Sequence, residues 1–472
     1  MTTFRLLLTA ICLFLSQQKP AAQSVPPALE AMFNQTLQAQ RNALGVKSLS
    51  AAVQLSNDSV WAGAYGISSS FPLDSVSPNH TYAIGSITKT ITAACILQLA
   101  DEGILQLDDS LHEWLPSFPF VDPNISIRQL LRHQSGLYDV ITNPAYDAAT
   151  KVNLDSIWSL SNLVNDYMNP PLFAPGASWS YSNTNYALLG LIVEAATGNT
   201  YRSEYTNRFF DPLQLNSLAL PPFDGLPDEI AHLWTFSPNN GSSTDVHSFF
   251  SNWNSFYSSA GPIGGYYATP RDIAVWNRAF LRGDLHTPSI LAEAKTTVAT
   301  PNPANGRYGL GIMQRKFLNL EAFGHGGDIG YSSISYYFPE KDISITVLNN
   351  DQKKNSWALA PVVQALLKNY LDYQTSVPTL QPMGREVLNV SVYPNPFTDA
   401  IAVSLNIPTD VKDVQMVLTD ALGRELTRAV GGNPPTGVEH ITLERLEKLP
   451  CGIYFLRVLL DGKVVQTIKV SK

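Results

Sequence analysis

From Val25 to about Tyr373 the apolar positions fall at both helical and strand spacing, which predicts a mixed α/β region. Thr88 to Glu102 carries Ile91, Ala94, Cys95, Leu97 and Leu99 at helical spacing, and Gly103 closes that predicted helix. Tyr186 to Ala196 predicts a second apolar helix, stopped by Gly198. Ser332 to Tyr337 and Ser344 to Leu348 read as strands separated by the turn Pro339-Glu340-Lys341-Asp342. Trp357 to Leu371 reads as a closing helix. Residues 375–389 are expected to form a linker, since Thr375 to Met383 holds Pro378 and Pro382 and has no period. From Val390 the pattern is nearly all strand-like. Ala400 to Ile407 alternates, and Ile453 to Leu460 and Lys463 to Val470 flank Asp461-Gly462, a two-residue hairpin signal. A small β-sandwich is expected over residues 390–472.

The first 23 residues read as an export signal. Arg5 precedes the apolar run Leu6 to Leu15, which is too short to span a bilayer, and the small residues Ala21 and Ala22 follow. No later stretch predicts a membrane helix. The formal net charge is -8 and no basic run occurs, which argues against nucleic acid as a partner. Cys95 and Cys451 survive signal removal, lie in different predicted domains and are read as buried free thiols, with a disulfide, which export would permit, as the alternative. Neither C-x-x-C nor H-E-x-x-H occurs, so no metal or other cofactor is expected.

Candidate chemistry centres on Ser86-Ile-Thr-Lys89, at the mouth of the helix predicted from Thr88. A serine there points toward the positive end of the helix dipole, and a lysine three residues on shares its face. Serine is a weak nucleophile until a base takes its proton, and a desolvated lysine can serve. The spacing alone is weak. Roughly one or two S-x-x-K are expected by chance in a chain this long, and Ser16-Gln-Gln-Lys19 is such a copy. Tyr181-Ser182-Asn183 offers a proton relay and an amide donor, but Tyr167-Asn169, Tyr205-Asn207 and Tyr393-Asn395 share the Y-x-N spacing. His325-Gly326-Gly327 is the one H-x-G. Its glycines let a substrate backbone lie along a strand edge, and the Asp328 N–H paired with that of Ser86 would suit an oxyanion. G-x-S-x-G is absent, which excludes an α/β-hydrolase.

In this order the three elements resemble the serine β-lactamase and D-alanyl-D-alanine carboxypeptidase superfamily, in particular its class C-like branch. The resemblance runs from Leu29 to Leu371. It includes Gly85 to Thr90, Leu105 to Asp109, Leu130 to Leu137, Pro175 to Gly190, Gly264-Gly265, Thr269 to Asp272, Tyr308 to Gly311 and Phe323 to Tyr331. It implies a catalytic domain over residues 24–374, an antiparallel sheet flanked by helices with an all-helical subdomain. It implies Ser86 as the acylated nucleophile, Lys89 and Tyr181 as base and acid, and Asn183 as a substrate-positioning amide. His325 would favour a substrate carboxylate or shuttle a proton, and Gly326, Gly327 and Asp328 would lie on the oxyanion strand. His133 and Asp272 are read as loop braces, and Asn349 or Asn350 as a possible contact to a substrate carboxylate.

His-Gly-Gly lacks the lysine and hydroxyl that β-lactamases of this superfamily carry there, which favours a peptidase, esterase or amidase over a β-lactamase. The expected partner is therefore a small-molecule or peptide substrate: a D-alanyl peptide, a β-lactam or a small ester. The alternative is a penicillin-binding or peptidoglycan-sensing protein without turnover. Val392 to Phe397, Thr419 to Arg424 and Gly452 to Leu456 resemble the type A sorting domain of type IX secretion in Bacteroidota. That resemblance implies an immunoglobulin-like sandwich, the type IX machinery as a second partner, and passage through a Gram-negative periplasm to the surface or medium.

Overall fold

The structure is a computed structural model that describes residues 24–239, 241–301, 306–376, 390–407, 411–420, 424–431, 437–450 and 452–472. The expected export signal, most of the expected linker and Cys451 lie outside the described residues. The chain divides into two compact units, one reaching to Asp372 and the other starting at Tyr373.

In the first unit, Pro27–Leu44 begins on a proline at its first turn and ends at Gly45, whose φ of 63° suits a residue without Cβ. It packs on a nine-stranded antiparallel sheet. The strand order is Leu73–Ser75, Val60–Ser70, Ser48–Gln54, Ile343–Asn349, Tyr331–Phe338, Leu320–Ile329, Met313–Phe317, Arg307–Tyr308 and Val298–Ala299. The two predicted strands pair as Tyr331–Phe338 with Ile343–Asn349. Ser48–Gln54 and both of these are buried at every residue, so the sheet centre is covered on both faces. The amphipathic helix Pro270–Arg282 lies on the same central strands.

The helix Thr88–Asp101 is the pillar of the helical layer. It is buried without a break from Thr88 to Leu97, as its all-round apolar sequence requires. Thr184–Thr197, Tyr201–Tyr205 and Asn254–Gly264 pack around it. The expected boundaries hold to within a few residues: Thr88–Asp101 for the first helix, and Thr184–Thr197, closed by Gly198, for the second. The closing helix is Ala360–Ser376, entered through the short turn Ser356–Leu359.

The second unit contains two antiparallel sheets. One runs Val390–Tyr393, Ile401–Ile407, Gly437–Leu443, and the other Glu425–Val430, Val414–Thr419, Ile453–Leu460, Lys463–Ser471. Val403 and Leu405 of the first sheet and Met416, Leu418, Leu456 and Val458 of the second share one core. Asp461 and Gly462, at φ 47° and 74°, make the predicted hairpin turn.

Candidate active site

The short turn Gly85–Ile87 carries Ser86 directly into the Thr88–Asp101 helix. Two glycines set its place. Gly85 has φ 53°, and a Cβ there would meet Asp328 N at 3.0 Å. A Cβ on Gly327 would lie 2.7 Å from Ser86 N and 2.2 Å from the Ile84 carbonyl. The nucleophile turn and the strand Leu320–Ile329 therefore touch backbone to backbone, a contact that side chains would prevent. Ser333 Oγ donates to the Ile84 carbonyl at 2.6 Å, and Ile84 N donates to the Tyr266 carbonyl at 2.9 Å, which pins the turn from two sides.

Lys89 is fully buried one helical turn on. Its Nζ lies 3.0 Å from Ser86 Oγ and donates to Asn183 Oδ1 at 2.7 Å and to the Ile263 carbonyl at 2.8 Å. Asn183 is turned this way because its Nδ2 donates to Asp139 at 2.9 Å, while Asp139 also accepts from Asn183 N at 3.2 Å. Burial lowers the Lys89 pKa to about 7, against the opposing pull of the Asp139 carboxylate. A neutral amine has two N–H groups and one lone pair. Asn183 and Ile263 take both N–H groups, so the lone pair is left for the Ser86 hydroxyl.

Tyr181 Oη is buried with no hydrogen-bond partner of good geometry among the described residues. Burial holds its pKa well above 10, and the nearby Ser86 hydroxyl pulls the other way. The phenol thus keeps its proton, and its ring lies 5.0 Å from Lys89 Nζ. The His133 ring packs against the same ring, tilted by 31°, with 4.2 Å between centroids. His325 is buried with both ring nitrogens engaged, Nε2 with Tyr308 Oη at 2.9 Å and Nδ1 with the Gly326 carbonyl at 2.6 Å. Burial, with Lys89 beside it, holds its pKa down at about 3. A neutral ring brings no positive charge to a substrate carboxylate.

Two arms of one cleft meet at Ser86, Asn183 and Asp328. One, of about 530 Å³, also touches Tyr181, His325, Arg315, Tyr336 and Trp357. The other, of about 240 Å³, is lined by Phe250, Trp253, Phe256, Ala260 and Ile263. Asp328 is also held from outside, by Ser356 N at 2.7 Å and Ser356 Oγ at 2.6 Å. Arg315 stacks on Trp357 at 3.7 Å and donates to Tyr336 Oη at 3.0 Å.

The structure therefore brings together Ser86, Lys89, Tyr181, Asn183, His325, Gly326, Gly327 and Asp328. Asn349 and Asn350 do not join them. Their amides donate to backbone carbonyls, Asn349 to Asp351 and Asn350 to Ile67 and His232, because these buried groups close a strand end. Asp272 accepts from Ser217 N and Oγ at 2.8 and 2.6 Å, which braces a loop. His133 braces a loop too, through Ser182 N at 3.1 Å, but its ring is also packed on Tyr181. Asp139 and Arg315 carry no local signature in the sequence, and the Tyr308 to Gly311 segment gives no sign that the Tyr308 hydroxyl reaches His325. Cys95 is buried and unpaired, and burial pushes its thiol up to about 12. Among the described residues no His, Cys, Asp or Glu group could hold a metal ion, and no helix is long and apolar enough to cross a membrane.

A family model described as Beta-lactamase matches residues 33–367. The chain belongs to the beta-lactamase family. A second model, the secretion system C-terminal sorting domain, matches residues 391–471. Among solved structures, a D-stereospecific amidohydrolase from Streptomyces sp. is 32% identical, with a TM-score of 0.61 over 72% of this chain and 97% of that one. The D-amino acid amidase from Ochrobactrum anthropi SV3, in complex with L-phenylalanine amide, shares the fold at 23% identity. Its TM-score is 0.64, over 73% of this chain and 99% of that one. Penicillin-binding protein 4* of Bacillus subtilis (strain 168) is 28% identical over 306 residues, 61% of this chain. The match spans 64% of that relative's own length, less than two thirds. The α/β fold is thus that of the β-lactamase and penicillin-binding proteins, joined to a secretion sorting domain.

Proposed function

We propose that this is an exported serine hydrolase that cleaves amide or ester bonds through an acyl-enzyme on Ser86. The observation that carries this reading is the Lys89 amine, committed by Asn183 and the Ile263 carbonyl and lying 3.0 Å from Ser86 Oγ. In it, neutral Lys89 takes the Ser86 proton as Oγ attacks the substrate carbonyl carbon. The N–H groups of Ser86 and Asp328 receive the oxyanion. The Tyr181 phenol passes a proton to the departing amine or alcohol and is restored by way of Lys89. Water then attacks the acyl group by the same route, releasing the acid and returning Ser86.

Tyr181 lines only the larger and more polar of the two arms, so the leaving group belongs there, where Arg315 suits a carboxylate. The acyl side chain then enters the arm walled by Phe250, Trp253 and Phe256, which fits an aromatic or bulky aliphatic group. The Streptomyces relative is by name a D-stereospecific amidohydrolase, so D-aminoacyl amides and esters and D-alanyl peptides are the substrates to try first. A panel of D- and L-phenylalanyl amides and esters, D-alanyl-D-alanine and a penicillin tests this. The D-phenylalanyl compounds should be turned over fastest, and equal turnover of all members would remove the substrate reading. Phe256→Ala should raise KM for phenylalanyl donors about tenfold and leave an acetyl ester nearly unchanged.

The pH profile follows from Lys89. The base is the unprotonated amine and its pKa is about 7, so protonation below that value removes it. kcat/KM should rise about tenfold per pH unit up to pH 7 and level off above it. A profile flat from pH 5 to 9 would take Lys89 out of the base role.

For the C-terminal unit we read recognition by the type IX machinery of a Bacteroidota-like bacterium, after export to the periplasm under the N-terminal signal. Its family match and two-sheet architecture support this.

A further inference from the structure

Around Tyr181 and Lys89 stand two buried imidazoles, His133 and His325, joined through the hydroxyl of Tyr308. We propose that these three side chains form a one-way hydrogen-bond chain that fixes His325 as the neutral Nδ1–H tautomer. In this chain Tyr308 is the positioning residue that keeps a second positive charge out of the Lys89 pocket. The inference rests on the reading of Lys89 as the base for its functional meaning, though not for its geometry.

Backbone groups at both ends set the direction. At one end Ser182 N–H can only donate, and His133 Nδ1 accepts it at 3.1 Å. Asn185 donates to the same Nδ1 at 3.0 Å, its amide turned by the Ser135 hydroxyl that donates to its Oδ1 at 2.6 Å. His133 therefore carries its proton on Nε2, which donates to Tyr308 Oη at 3.3 Å. At the other end the Gly326 carbonyl can only accept, so His325 carries its proton on Nδ1, 2.6 Å away. The Nε2 of that neutral ring accepts from Tyr308 Oη at 2.9 Å. Tyr308 thus accepts from one imidazole and donates to the other, which a hydroxyl can do and a phenyl ring cannot.

The charged and titratable groups that face His325 are Lys89 on the nucleophile helix, Tyr181 before the Thr184–Thr197 helix, Arg315 on the neighbouring strand, and Tyr308. His133 adjoins them through Tyr308. Burial opposes a proton on His325 most, and Lys89 and Arg315 oppose it further, against the Gly326 carbonyl, which favours it. The Tyr308 hydroxyl adds a structural block, because it occupies the one nitrogen where a second proton would land.

The test is nitrogen NMR of the full chain with labelled histidine, the His325 resonances being identified by their loss in H325N. In the wild type, His325 should show Nδ1 protonated and Nε2 bare, with no shift between pH 5 and 8, the range in which an unperturbed histidine titrates. In Tyr308→Phe the same resonances should move with pH inside that window, and kcat/KM at pH 6 should fall relative to pH 8 by more than it does in the wild type. A wild-type His325 that carries its proton on Nε2, or that titrates between pH 5 and 8, would overturn the chain without any variant having to fold. The spectra need no turnover. If Ser86 proved not to be the nucleophile they would still decide the inference, and if the tautomer proved wrong the hydrolase reading would stand.

Discussion

Ser86→Ala should abolish turnover of every substrate, a loss on the order of 10⁶-fold, which is typical when an acylated nucleophile is removed. The fold should survive, because Ser86 is only half-buried and the turn that holds it is pinned through Ile84 and the two glycines rather than through Oγ. The loss should therefore come with an unchanged Tm. Steady-state kinetics of the purified variant with a p-nitrophenyl ester, read beside its thermal melt, checks this. Turnover within tenfold of wild type would make Ser86 a bystander. A residue of activity well above background hydrolysis is compatible with the reading, since the N–H groups of Ser86 and Asp328 would still polarise a carbonyl.

Lys89→Met should cost about 10²–10⁴-fold in kcat/KM, the usual worth of a positioned general base. Methionine fills the same channel but offers no lone pair to Ser86. It also strands Asn183 Oδ1 and the Ile263 carbonyl, each of which loses its Lys89 donor. Such a buried acceptor costs about 1–3 kcal/mol, partly offset because no amine has to be kept in the apolar interior. The pH dependence separates a base from a strut. At pH 5 the wild-type amine is already protonated, so the ratio of wild type to variant should shrink there and reach its full size above pH 8. A constant ratio across that range would mean that Lys89 only supports the structure.

Much of this site was legible in the chain because its chemistry is local. Ser86 lies in the turn that leads into, and Lys89 in the first turn of, a helix that the apolar spacing of Ile91 to Leu99 announces, and Gly103 marks its end. Tyr181 and Asn183 stand just ahead of a second apolar helix, and His325 to Asp328 lie on a strand. What the spacing could not show is what each side chain does with its hydrogen bonds. His325 reads as a group for a carboxylate until both its nitrogens are found engaged, and Arg315, the cation in that arm of the cleft, lies on a neighbouring strand with nothing beside it in sequence to mark it. Asp139 follows Gly136-Leu137-Tyr138 as an ordinary loop carboxylate, and only the fold puts it against Asn183. Asn349 and Asn350 misled for the opposite reason. Polar residues at the end of a strand invite a ligand, but here they close the backbone of the chain itself.

In the proposed mechanism Ser86, and no other residue, is the activated nucleophile. Labelling the full chain with a fluorophosphonate, followed by peptide mass spectrometry and residual activity on the same samples, tests it most directly. One equivalent should bind, carried by the peptide that holds Ser86, with activity lost in proportion to labelling and no label taken up by Ser86→Ala. Full inactivation with the label on another residue, or a fully labelled Ser86 with turnover intact, would contradict it.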